Sequence, residues 1–190
     1  NLIAYMREHH PHIVVVLDAK RGDIGSTAAR YAVEAFERYD ADAVTVNPFL
    51  GEESVRPYFE FPDRGVVLLC RTSNPGSDWI QLQPEEKPLY LQIAEQAQRW
   101  NEHNNLALVT GATYPHELSL VRERAPALPL LVPGIGAQGG DIAKVVAAGA
   151  DGNGQGLMIS ASRSVLFASD GDDYAEAAAL EAKGLRDEIR

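Results

Sequence analysis

The densest chemistry in this 190-residue chain lies in the run Asp18-Ala19-Lys20-Arg21-Gly22-Asp23. It sets an ammonium between two carboxylates, residue types suited to electrostatic and acid–base work. Side chains two apart on a strand share a face, so Asp18 and Lys20 are expected to point the same way. Asp23 falls past the strand, in a turn, from which it can reach back to them or outward to a neighbour. An Asp-x-Lys pair is also what a solvated turn with a weak surface ion pair looks like. The stretch beneath it shifts the reading toward a site: residues 13–17 are a continuous apolar, β-branched run, as in a strand covered on both faces.

Two further clusters could grip an anion. Pro133-Gly134-Ile135-Gly136-Ala137-Gln138-Gly139-Gly140 offers backbone N–H groups and the Gln138 amide just before a helix expected over 141–148. Ser160-Ala161-Ser162-Arg163 offers a hydroxyl and a guanidinium before a short helix expected over 164–168. Helix amino termini and guanidinium forks both favour a dianion such as phosphate. Glycines that only make tight turns would give the first cluster alone, and its pairing with Ser162 and Arg163 is what favours a phosphate site.

The elements that must position these residues repeat one unit. Apolar strand-like runs fall at residues 13–17, 43–46, 65–70, 106–110, 128–132 and 156–160. Helical patterns fall between them, at 26–39, 52–60, 87–101, 115–124 and 141–148, with a last Ala- and Glu-rich helix over 172–190. Alternation of this kind means a parallel α/β sheet with right-handed crossovers. An open doubly wound sheet satisfies the six-strand count, and so does a barrel lacking its first two strand–helix units. No linker or composition shift interrupts residues 1–190, which read as one domain. The chain is shorter than the roughly 250 residues of a typical eight-stranded barrel. It opens at Asn1, with residues 2–6 resembling the middle of an amphipathic helix, so a leading segment is expected to precede it.

Composition narrows the partners. A formal net charge of −10 argues against nucleic acid and anionic membrane surfaces. No apolar run has the length of a membrane span and no signal-peptide pattern opens the chain, so a cytoplasmic protein is expected. The lone cysteine, Cys70, sits in an apolar run and reads as an inert buried thiol. His9, His10 and His12 precede the first strand, His103 ends a helix and His116 starts one. None has metal-ligand spacing with a carboxylate partner, so no metal is expected. Residues 74–88, with Trp79, are long for a βα loop: a lid, or an ordinary surface excursion.

At this point the motifs resemble a family. Asp18-x-Lys20-x-x-Asp23-Ile24, Thr72-Ser73-Asn74-Pro75-Gly76, the 133–140 cluster and Ser162-Arg163 together are similar to orotidine 5′-phosphate decarboxylases, most closely the bacterial type 2 subfamily. The likeness runs from about residue 13 to 167, in order. It implies an α/β fold of the (β/α)8 TIM-barrel type, with the first one or two strand–helix units absent from this chain. It implies conversion of orotidine 5′-phosphate to uridine 5′-phosphate and CO2 with no cofactor, so that charge placement carries the catalysis. Lys20 would stabilise the developing carbanion and protonate it, with Asp18 beside the substrate carboxylate favouring the charged amine. The resemblance further implies a homodimer in which Asp23, Ile24 and Thr27 enter the partner's site, Asp23 on the ribose hydroxyls. Ser73 would meet the pyrimidine edge with Pro75 shaping the loop, and Gln138 and Arg163 would hold the phosphate, with Ser162 beside them.

Two departures stand out. The family's first-strand Asp on the ribose and second-strand Lys in the charged network have no counterparts here, and Ser162 stands where some members have Gly. The Asp-x-Lys-x-x-Asp signature is shared with magnesium-dependent sugar-phosphate decarboxylases and hexulose-phosphate synthases of the same superfamily, which remain the alternative. A phosphate-ligand binding module without turnover is the third reading.

Overall fold

The computed structural model describes residues 2–136 and 140–190. In chain order the elements are α1 (Leu2–His9), β1 (Val16–Arg21), α2 (Gly25–Val33), β2 (Ala43–Val46), α3 (Glu52–Phe59), β3 (Gly65–Arg71), α4 (Asp78–Gln81), α5 (Leu89–Trp100), β4 (Leu106–Thr110), α6 (Pro115–Arg124), β5 (Leu130–Pro133), α7 (Ile142–Gly149), β6 (Leu157–Ser160), α8 (Arg163–Leu166) and α9 (Tyr174–Ile189). The strands lie in the sheet in their chain order. Where the register is defined, the pairs are parallel, as the α/β alternation predicts. The chain divides into two compact units, Asn1–Leu69 with Glu95–Leu108, and Cys70–Ala94 with Val109–Arg190.

In the first unit β2 is buried along its whole length and pairs with β3 from Ala43↔Gly65 to Val46↔Leu68. A Cβ on Gly65 would come within 2.9 Å of the Ala43 Cβ, so the start of β3 requires glycine. Behind the strands, Ala28, Ala32, Phe36, Val55 and Tyr58 are buried, with Phe36 edge-on to Tyr58 at 6.3 Å between ring centroids. The helix expected over 26–39 is α-helical only to Val33. It continues as a single π-helical stretch, Glu34–Arg38, which shifts the phase of the last turn.

The strand expected at 13–17 is displaced toward the charges. The ladder with β2 begins only at Val16↔Ala43, and Val15 N–H is taken by the Asp42 carboxylate at 2.7 Å. Ile13 and Val14 therefore precede the strand, 44% and 67% exposed. Among the described residues β1 pairs with β2, and its residues are half-buried or exposed.

In the second unit β5 and β6 pair from Leu130↔Leu157 to Pro133↔Ser160. β5 starts at Leu130 rather than at residue 128 because Pro129 has no N–H to give a ladder. Leu118, Val121, Leu130, Val132, Ile142 and Val145 form the buried core there. Arg122 ties three backbone carbonyls together, donating to Gly149 at the end of α7, Leu128 and Gly156 at 2.8, 2.7 and 2.9 Å. Cys70 is buried, its Sγ 3.1 Å from the Tyr90 carbonyl, and burial pushes the thiol up to about 12. The inert reading of that residue holds.

Candidate functional site

The first group of site residues grows out of an irregularity in β1. Between Leu17↔Val44 and Arg21↔Val46, three residues of β1, Asp18, Ala19 and Lys20, face one of β2, Thr45. The surplus carries Asp18 and Lys20, so the chemistry sits on a bulge rather than on a regular strand. Lys20 adopts φ +46°, a left-handed conformation uncommon outside glycine. Its Nζ lies 2.7 Å from both Asp18 oxygens. The two side chains remain 52% and 60% exposed, open to solvent and to a ligand.

Thr45 of β2 completes the group and went unnoticed in the sequence. Its hydroxyl donates to Asp18 Oδ1 at 2.8 Å and accepts the Lys20 backbone N–H at 2.9 Å. A threonine in Ala43-Val44-Thr45-Val46 reads as ordinary β-propensity, and the one available signal was a hydroxyl at a fully buried position. Burial pushes the Asp18 carboxyl up, and the hydrogen bonds from Lys20 and Thr45, with the Lys20 charge, more than offset it, leaving the group below its usual range.

The turn after β1 presents the next residues. Asp23 is half-buried, and its Oδ1 accepts the Ile24 N–H at 2.8 Å. Ile24, 55% exposed, precedes α2 in extended conformation, and Thr27 is exposed on the first turn of that helix.

In the second unit, Ser73 is held at its backbone. Its carbonyl accepts from Thr113 Oγ1 at 3.3 Å, and a Cβ on Gly111 would fall 2.7 Å from its Cα, so glycine is needed there. Within residues 74–88 a 3-10 turn, Pro75–Ser77, runs into α4, and residues 82–88 are turns and bends. Arg71, 1% exposed, ties this segment down through Ser77 Oγ and Asp78 Oδ1, each at 2.7 Å, while its guanidinium lies 4.0 Å over the Tyr114 ring. Gln81 locks Thr72, accepting its N–H at 3.0 Å and donating to its hydroxyl at 3.0 Å. Trp79 is 76% exposed.

The glycine cluster is drawn tight at its ends. Gly134 and Gly136 have φ of +103° and +71°, and a Cβ on Gly140 would sit 2.7 Å from the Gly134 carbonyl. Gln138 lies outside the described residues. Asp141 caps α7 by accepting the Lys144 N–H at 3.1 Å. Ser162 and Arg163 are both exposed; α8 is a single turn starting at Arg163, shorter and earlier than the 164–168 helix expected. A Cβ on Gly136 would lie 3.5 Å from Ser164 Oγ, so within this unit the glycine cluster and the Ser162-Arg163-Ser164 loop come together.

Residues 1–178 match the family model described as orotidine 5′-phosphate decarboxylase / HUMPS family. The chain belongs to that family. Relatives named orotidine 5′-phosphate decarboxylase include those of Bordetella avium, 57% identical over 99% of this chain and 71% of the relative, and Cellvibrio japonicus, 54% identical over 98% and 69%. Among solved structures, the Leishmania donovani OMP decarboxylase superposes with a TM-score of 0.85 at 39% identity, over 99% of this chain and 73% of that one. The α/β fold is thus the family's own. Among the described residues no helix is long and apolar enough to cross a membrane.

Proposed function

We propose that this chain is an orotidine 5′-phosphate decarboxylase, a carboxy-lyase of pyrimidine biosynthesis that releases CO2 and leaves uridine 5′-phosphate. The observation that carries the reading is the Asp18–Lys20 pair at 2.7 Å inside a sequence more than half identical to relatives of that name. In the reaction the C6–carboxylate bond breaks, its electron pair stays on C6, and a proton from the Lys20 ammonium forms the new C6–H bond. An ammonium in place before the charge appears needs little reorganisation as it develops. Asp18, beside the departing carboxylate, orients Lys20.

The remaining roles follow the resemblance. Asp23 binds ribose hydroxyls, with Ile24 and Thr27 beside it, across a homodimer whose subunits exchange these residues; their exposure around the start of α2 supports that assignment. Ser73, on a doubly fixed backbone, meets the pyrimidine edge next to Pro75. Gln138, Ser162 and Arg163 hold the phosphate, a remote grip whose binding energy is used at the reacting carbon. The family match over residues 1–178 supports reading residues 1–190 as one domain of a (β/α)8 barrel of the type 2 subfamily. A cytoplasmic location suits this chemistry.

The decisive measurement is loss of orotidine 5′-phosphate absorbance with the full-length protein and its Lys20→Ala variant, in chelator. Turnover by the parent with a loss of about a thousandfold or more in the variant, nucleotide binding kept, is the expected result. A folded parent without turnover in chelator, active on a sugar phosphate once magnesium is supplied, would overturn it.

A further inference from the structure

We infer that Thr45 is a positioning residue for the Asp18–Lys20 pair, one buried hydroxyl fixing the carboxylate's direction and the lysine's backbone together. The kinetic half of this inference rests on the decarboxylase reading above.

The geometry leaves that hydroxyl little choice. Thr45 is 1% exposed on a strand whose other residues are alanine and valine. A hydroxyl has one proton. With its lone pair taken by the Lys20 N–H at 2.9 Å, that proton goes to Asp18 Oδ1 at 2.8 Å. The register places Thr45 opposite the bulge, between Val44 paired with Leu17 and Val46 paired with Arg21. Its side chain therefore receives the N–H that a regular ladder would have received by backbone.

Lys20 needs such support. A lysine at φ +46° persists only where its surroundings over-determine it. Thr45 holds the N–H on one side, and on the other the Arg21 carbonyl accepts the Asn47 N–H at 2.7 Å. The turn so fixed folds Nζ back onto both Asp18 oxygens. Among the described residues the charged group against the Asp18 carboxylate is Lys20, on its own strand, and β2 contributes the Thr45 hydroxyl and no charge. Removing that hydroxyl takes away one of the influences that hold Asp18 below the usual carboxylate range.

Thr45→Val keeps the shape and the β-branching, and Thr45→Ser keeps the hydroxyl, so the pair separates the hydrogen bonds from packing. In the full-length protein, the Asp18 carboxyl is titrated by carbon-13 chemical shift, kcat and KM are measured with orotidine 5′-phosphate, and thermal unfolding verifies the fold. Thr45→Val is expected to move the Asp18 midpoint to higher pH and to lower kcat about tenfold to a hundredfold, with KM within about threefold. Thr45→Ser is expected to restore the midpoint and most of kcat. A Val variant with the parent's kcat, or with the parent's Asp18 midpoint, would overturn the inference. A folded parent that does not turn over would instead remove the decarboxylase reading, and the carboxyl titration alone would then decide whether Thr45 positions Asp18.

Discussion

Two ion pairs in this molecule have the same 2.7 Å separation and opposite uses. Lys20 and Asp18 are each more than half exposed, and among the described residues the ammonium's side-chain hydrogen bonds go to one carboxylate. Arg71 is 1% exposed and divides its donors among Ser77, Gln81 and Asp78 while stacked over Tyr114. The difference lies in what surrounds the charge. A guanidinium whose two terminal nitrogens are engaged by its own fold is spent on holding residues 74–82 in place. An ammonium with spare donors in reach of solvent contributes little to stability. It is free to serve a ligand.

Stability measurements would break this contrast most directly. Arg71→Met keeps much of the side-chain volume but removes the charged donors to Ser77, Gln81 and Asp78 and takes the cation off the Tyr114 face, while Ser77 keeps the Asn74 carbonyl and Gln81 the Thr72 N–H. Asp78, 47% exposed, returns to water. Hydrogen bonds to a charged group and the ring contact together predict a loss of about 2–4 kcal/mol in urea denaturation. Lys20→Ala, at the exposed pair, should lose under about 1 kcal/mol while abolishing turnover. Equal losses in the two variants would mean that exposure does not separate the pairs.

A smaller effect sharpens the account of Lys20 itself. If φ +46° is held against a steric preference, glycine at this position should be more stable than alanine. Relief of left-handed strain, less the extra entropy of an unfolded glycine, predicts that Lys20→Gly exceeds Lys20→Ala by roughly 0.5–1 kcal/mol. Both variants should be inactive. Alanine more stable than glycine would remove strain from the description of the bulge.

How legible these regions were depends on which signal each used. β2, β4 and α6 end where the sequence reading places them, because Pro115 starts the helix and polar or glycine residues close the strands. β1 was placed too early because residues 13–15 carry strand-like side chains, while the ladder with β2 starts at Val16 and the Val15 N–H goes to the Asp42 side chain. The Asp18–Lys20 contact was expected from strand alternation, yet it forms through a bulge and a left-handed lysine, which no residue type announces. Thr45 was hidden by looking like a good strand residue. Arg71 was hidden by the opposite habit, since arginine is rarely this buried. The α4 turn went unseen because four residues are too few for a periodic pattern.

The finest distinction between the pairs is their response to acid and salt. Desolvation raises the Asp18 carboxyl, but hydrogen bonds from Lys20 and Thr45 and the Lys20 charge bring it below its ordinary value of 3.8. A carboxyl depressed in the folded state stabilises the protein above its unfolded value, and that contribution disappears as pH falls through the folded one. The stability difference between the parent and Asp18→Asn should therefore be constant at neutral pH and shrink below about pH 4. Because both partners are exposed, the difference should be small and should fade further in 1 M salt, where screening acts within about 3 Å. The loss in Arg71→Met should persist at that ionic strength, since its buried donors are shielded from counterions. A neutral-pH difference for Asp18→Asn that is untouched by salt would place the Asp18–Lys20 pair in the same class as the buried one.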